Sequence, residues 1–159
     1  MKVFQYESWF HSDIGLTHTM IAILAMVLGS VVLLRPKGTT SHKRIGYAYV
    51  VSMILLNGTS FWMHTFGTFG PFHFAAVMSL ACVLAGIIPV IRRKNNEWLK
   101  QHYYYMSGSV IGLFAAFWAE VGTRIFDFKF FWLAVVSASI LTTVIGVIVM
   151  KKQGKARFG

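Results

Sequence analysis

Five apolar runs of about 20 residues, separated by short polar connections, constrain the fold of this chain more than any other feature. A run of that length is what an α-helix needs to cross the roughly 30 Å hydrocarbon core of a bilayer. The chain of 159 residues is only 13% charged, whereas soluble domains carry about 25% charged residues. The sequence therefore predicts an all-α, polytopic membrane protein. Its predicted spans are residues 17–34, 45–63, 72–91, 103–121 and 131–150.

The connections between the runs are short, so consecutive helices should be antiparallel neighbours in a single transmembrane domain, a five-transmembrane-helix bundle. Residues 1–16 are rich in aromatic side chains of the kind found at membrane interfaces, and we predict an interfacial segment there. Residues 151–159 are predicted to form a basic cytoplasmic tail. Pro71 suits the first turn of the third span.

The basic residues predict how the bundle is oriented. Twelve of the 15 lysines and arginines fall in the first loop, the third loop and the tail, which lie on one side of a five-span bundle. The positive-inside rule then places the N-terminus outside and the C-terminus in the cytoplasm. The formal charge of +10 sits in short clusters between apolar runs rather than along one stripe, so it does not indicate a nucleic-acid partner.

In that orientation, four side chains that can bind a metal fall near the outer interface. His18, His64, His73 and Glu120 each lie at the outer end of a different span. Three imidazoles and a carboxylate suit zinc, iron or copper, and a carboxylate within an apolar span is by default a functional-site hypothesis. We predict a metal site here, with Glu120 either a ligand or a general base. Asn57 could support the site as a hydrogen-bond donor.

Simpler interpretations remain open for these residues. A histidine near a span end can lie at the interface with its ring in water, and Glu120 could pair with Arg124, four residues further along the helix. On the inner side, His42 and His102 lie among basic residues and could hold an anionic headgroup, a phosphate or haem propionates. A solvated cationic rim is the alternative there.

The spacing of the histidines argues against two haems stacked within the membrane. His42 and His64 are 22 residues apart, which is about 33 Å along a helix and as long as the hydrocarbon core is thick. The ligands would lie too close to the membrane faces. One haem b near the outer face, held by two of the three outer histidines, stays open.

Parts of the sequence resemble a bacterial family of membrane proteins known only as a domain of unknown function. The resemblance rests on His18 with Gly29, on the segment HKRIGYAYV at residues 42–50, and on His102 followed by Met106 and Glu120. It covers roughly residues 14–126. It implies a multi-pass protein of the bacterial inner membrane and assigns no reaction.

Three functions follow as hypotheses. The first is a metalloprotein: zinc would support hydrolysis at the level of the lipid headgroups, and iron or copper would support redox chemistry or metal handling. The second is a b-type haem protein that transfers electrons, and the third is a non-enzymatic accessory subunit. The expected partners are the lipid bilayer, a lipid or quinone-like small molecule, and a respiratory or other membrane protein.

Overall fold

All five regular elements of the described chain are α-helices, as the sequence predicts. The computed structural model describes residues 13–62, 70–93, 96–125 and 128–158. In chain order the helices are α1 (Asp13–Leu34), α2 (Thr40–Ser60), α3 (Pro71–Arg92), α4 (Trp98–Ile125) and α5 (Phe128–Phe158). Each predicted span lies largely within one of them. The predicted interfacial segment falls mostly on residues 1–12, outside the described residues.

Within the described residues, three stretches of helix are long and apolar enough to cross a membrane: Asp13–Leu34, His73–Arg92 and Val135–Phe158. At most 17% of the most apolar window in each is buried within the protein, so most of its apolar surface faces outward. Such surface marks contact with lipid or with other proteins, and together with the helix lengths it makes this a membrane protein. α2 and α4 are less apolar than these three stretches. The first turns of α2 contain His42, Lys43 and Arg44, and α4 contains Lys100 and Glu120.

The turn between α1 and α2 is closed by side chains at both helix ends. Lys37 donates from Nζ to the carbonyl oxygens of Val32 (2.8 Å) and Leu33 (2.6 Å). Carbonyl oxygens in the last turn of a helix receive no N–H from the helix itself, so Lys37 supplies the missing donor. Gly38 adopts a φ of +82°, where a side chain would be strained. Thr39 is the N-cap of α2, and its Oγ1 accepts from the backbone N–H of His42 at 3.1 Å. α2 therefore begins five residues earlier than the predicted span.

The described residues form two compact units, the first ending at Leu80 and the second beginning at Ala81, within α3. In the first unit α1 packs on α2. The buried side of α1 is lined by the small residues Ala25 and Gly29 and by Val32. In α2, Tyr49 and Met53 are fully buried.

In the second unit, glycines allow neighbouring helices to approach α4 closely. A Cβ on Gly86 of α3 would lie 2.6 Å from Sδ of Met106, and one on Gly146 of α5 would lie 2.7–2.9 Å from three side-chain atoms of Ile111. A Cβ on Gly154 would lie 2.5 Å from the Tyr104 hydroxyl. Small residues at helix contacts are typical of membrane bundles, where they bring backbones together.

The eight residues that follow the fifth predicted span are helical. Lys151–Phe158 continue α5, which reaches 31 residues. The phenol of Tyr103 in α4 donates to the carbonyl oxygen of Met150 at 3.0 Å. This stretch was predicted as a basic tail; its charge is as predicted, and its conformation is helical because it packs against the start of α4.

Candidate histidine sites

His18 lies in the second turn of α1, where a three-residue hydrogen-bond chain orients its ring. Its Nδ1 lies 2.9 Å from Oγ1 of Thr59 in α2. The Thr59 hydroxyl donates its own hydrogen to the carbonyl oxygen of Leu56, also at 2.9 Å. A hydroxyl has one hydrogen, so Thr59 can only accept from His18. The proton of neutral His18 therefore lies on Nδ1, and Nε2 carries the lone pair.

This arrangement is the one expected of a histidine that binds a metal. Metal-binding histidines almost always donate the N–H of the second ring nitrogen to a protein oxygen, which fixes the tautomer and the direction of the ring. In this protein the oxygen belongs to Thr59, whose position is fixed in turn by its bond to Leu56. The pairing brings together residues that are 41 positions apart.

His73 shows the opposite tautomer. It is 4% exposed in the first turn of α3, and the backbone N–H of Gly70 donates to its Nδ1 at 3.1 Å. Because Nδ1 accepts this bond, the proton of neutral His73 lies on Nε2. The ring is also tilted against Phe61, with 6.0 Å between ring centroids. Binding a metal through Nε2 would require moving the proton to Nδ1 and giving up the Gly70 bond, so His73 is arranged as a hydrogen-bond donor.

The other predicted members of the outer site are His64 and Glu120. His64 lies outside the described residues. Glu120 is half-buried in α4 and belongs to the second unit, whereas His18 and His73 belong to the first. Among residues 13–62, 70–93, 96–125 and 128–158, no three His, Cys, Asp or Glu side chains are grouped to hold one metal ion. The predicted four-ligand site therefore stays a prediction.

Asn57, predicted to support the site, is buried in α2 at 4% exposure. Its Nδ2 donates to the carbonyl oxygen of Met53 at 2.7 Å and lies 3.4 Å from Oγ of Ser79 in α3. The oxygen that orients His18 comes from Thr59 instead, two residues beyond Asn57.

His102, predicted on the inner side, is fixed in the same tautomer as His18. Its Nδ1 lies 2.9 Å from the carbonyl oxygen of Gly86 in α3. A carbonyl oxygen only accepts, so Nδ1 carries the proton and Nε2 the lone pair. The absence of a Cβ at Gly86 lets α3 approach Met106, one turn beyond His102, and so brings the carbonyl within reach.

His42 is half-buried in the first turn of α2, and its backbone N–H donates to the side chain of the N-cap residue Thr39. It belongs to the first unit and His102 to the second. The predicted joint role of these two histidines stays a prediction.

Thr59, Gly70 and Gly86, which set the tautomers of the three histidines, were not among the predicted site residues. No local motif marks them. The His18–Thr59 and His102–Gly86 pairs are separated by 41 and 16 residues, and a hydroxyl or carbonyl partner can be recognised only once the helices are packed.

No curated protein and no solved structure shows significant similarity to the chain. A protein-family profile, by contrast, matches residues 15–152 and so covers most of its length. The match includes all five helices except the ends of α1 and α5 and confirms the resemblance noted from the histidine-bearing segments. The chain belongs to the family described as predicted membrane protein, DUF2306.

Proposed function

We propose that this membrane protein is a metalloprotein in which Nε2 of His18 binds a transition-metal ion. The observation that carries the proposal is the chain from Leu56 through Thr59 to His18, which engages Nδ1 of the ring and sets the ring's orientation. Imidazole nitrogen suits zinc, copper and iron.

The sequence pattern predicts His64, His73 and Glu120 as the further ligands. His73 contributes differently, because its Nε2–H can donate a hydrogen bond to an oxygen of a bound molecule. With zinc, the metal would supply a water of lowered pKa, and Glu120 could act as its general base in hydrolysis at the headgroup level. With iron or copper, the site would serve redox chemistry or metal handling beside a respiratory enzyme.

Metal content tests the proposal directly. Protein purified in neutral detergent is expected to contain about one metal ion per chain by mass spectrometry of the elements, as a single mononuclear site requires. Co²⁺ added to metal-free protein should give visible ligand-field bands. His18→Ala should abolish both signals. The control is Thr19→Ala, because the Thr19 hydroxyl bonds only to the carbonyl of Gly15 in its own helix and should leave both signals intact.

A wild-type preparation that holds no metal and develops no Co²⁺ bands would contradict the proposal. So would a His18→Ala variant that keeps them. The accessory-subunit hypothesis predicts instead that His18→Ala keeps the protein's function, since it gives the histidines no ligand role.

A b-type haem protein is the second candidate, and the hydrogen bond between His102 and Gly86 is the observation that favours it. An axial histidine binds haem iron through one ring nitrogen while the other donates to the backbone, as His102 does to Gly86. A visible spectrum of the same sample separates the two candidates. Haem gives a Soret band, which His102→Ala should remove, whereas a zinc protein is colourless.

The same proposal includes a topology of five spans in a bacterial inner membrane, with the N-terminus outside and the C-terminus in the cytoplasm. The charge distribution supports it, because twelve of 15 cations fall on one side of such a bundle. Alkaline phosphatase, active only outside the cytoplasm, should be active when fused to the N-terminus and inactive when fused to the C-terminus. Green fluorescent protein fused to the C-terminus should fluoresce. Both termini reporting the same side would contradict an odd number of spans.

A further inference from the structure

The last two turns of α5, Lys151–Phe158, form a basic helical end that extends beyond the apolar part of the helix. Lys151, Lys152, Lys155 and Arg157 fall within eight residues, and all four side chains are exposed. At 31 residues α5 is long: 1.5 Å per residue gives about 46 Å, against about 30 Å for the hydrocarbon core. With the apolar run up to Met150 in the hydrocarbon, the basic end reaches the layer of lipid headgroups.

This basic end is held in place by the start of α4. The Tyr103 hydroxyl donates to the carbonyl oxygen of Met150 at 3.0 Å, and its ring packs edge-on against Phe158 with centroids 5.6 Å apart. The guanidinium of Arg157 lies 5.7 Å from the centre of the same ring. Gly154 is buried against Tyr104. Contacts over two turns make this helical segment part of the folded unit.

The helical geometry separates the tyrosine-facing residues from the lysines. At about 100° per residue, Met150, Gly154, Arg157 and Phe158 fall within an arc of about 100°. Lys151, Lys152 and Lys155 fall within a second arc of about 100°, and Lys152 points directly away from the tyrosines. The three ammonium groups therefore share one outward face.

Other charges at this end of the second unit have the same sign. Arg92 at the end of α3, Arg93 just beyond it and Lys100 in the first turn of α4 are exposed. Among the described residues of this turn between α3 and α4, Glu97 is the one acidic side chain. Few acidic side chains therefore neutralise the face formed by Lys151, Lys152 and Lys155, and its charge complements that of an anion.

We propose that Lys151, Lys152 and Lys155 form a binding surface for the headgroups of anionic phospholipids. Headgroup phosphates lie at the depth that the helix length gives these lysines, and a basic segment beside a membrane span attracts anionic lipid. The surface is independent of the histidine sites and of the proposed metal.

Native mass spectrometry of the full chain in neutral detergent, titrated with phosphatidylglycerol or phosphatidylcholine, tests this surface. We expect wild-type protein to bind phosphatidylglycerol about 30-fold more tightly than phosphatidylcholine, since each of the three lysines contributes about threefold near an anionic headgroup. Changing all three lysines to glutamine should bring the two affinities within about twofold. Changing all three to arginine should preserve the preference. Should the triple glutamine variant fail to fold, Lys152→Gln alone should lower phosphatidylglycerol affinity about threefold.

The matched control for Lys152→Gln removes one charge elsewhere. Arg35→Gln changes the net charge equally, at an exposed position of the first unit, and should leave phosphatidylglycerol affinity unchanged. An equal loss in this control would show a general charge effect and overturn the proposal. Displacement of the lipid by inorganic phosphate at equal concentration would also overturn it, because the surface would then be a site for free phosphate.

Discussion

Replacing Thr59 with valine is expected to weaken metal binding at His18 by about 10- to 100-fold, the range seen when the partner of a metal-bound histidine is removed. Valine keeps the branched shape of threonine but has no oxygen to accept from Nδ1 of His18. The ring loses its orientation and the preference for the Nδ1–H tautomer, so forming the metal complex costs more free energy. Competition with a chelator of known affinity, followed through the Co²⁺ bands, measures the change.

Ser60 gives a control one residue away. Its Oγ donates to the same carbonyl oxygen of Leu56, at 3.0 Å, as the Thr59 hydroxyl does at 2.9 Å. Ser60→Ala therefore removes a hydroxyl with the same helix partner but leaves the bond to His18. We expect it to keep wild-type affinity, and Thr59→Ser to keep most of it. If Thr59→Val and Ser60→Ala behave alike, the hydroxyl at Thr59 has no role in positioning His18.

Gly146→Ala is expected to lower the free energy of unfolding by about 1–3 kcal/mol, the usual cost of inserting a methyl group into a packed contact. The new Cβ would lie 2.7–2.9 Å from Cγ1, Cγ2 and Cδ1 of Ile111, so α4 and α5 must separate or Ile111 must change rotamer. A β-branched side chain in a helix has few alternative rotamers. Thermal unfolding in detergent, followed by circular dichroism, measures the loss.

Gly112→Ala is the matched substitution, because nothing lies within 4 Å of a Cβ at that position of α4. It should be neutral or stabilise the helix by up to about 1 kcal/mol, the propensity difference between alanine and glycine. Combining Gly146→Ala with Ile111→Ala removes all three crowded atoms, so the double variant should be more stable than the sum of the two single changes predicts. Additive losses would show that the crowding at Ile111 does not cause the destabilisation.

The contrast between these glycines shows where sequence reasoning succeeded. The apolar runs and the breaks at Pro36 and Pro71 predict the number and approximate positions of the helices, because hydrophobic length and proline act locally. Helix contacts are not local. A Cβ at Gly86 or Gly146 would meet a side chain of α4, whereas one at Gly108 or Gly112 would have open space. Whether a glycine meets a neighbour depends on helix rotation, which composition does not reveal.

The chemistry of the histidines was hidden for the same reason. In the sequence His18 and His73 look alike, since each opens an apolar span. Their tautomers differ because one meets a hydroxyl whose hydrogen is already donated, and the other meets a backbone N–H. Each partner comes from packing or from a helix end. Sequence therefore identifies which residues can bind a metal, and the structure distinguishes acceptor from donor among them.

The bonds of Lys37 to Val32 and Leu33 affect how its positive charge acts on the protein. In a charge count this lysine is one of the cations that predict a cytoplasmic first loop. Its ammonium group also neutralises the partial negative charge at the end of α1. Acetylation of this amine would remove the cation and two of its donors at once. The final turn of α1 would then fray, and the loop from α1 to His42 would no longer begin from an ordered helix end.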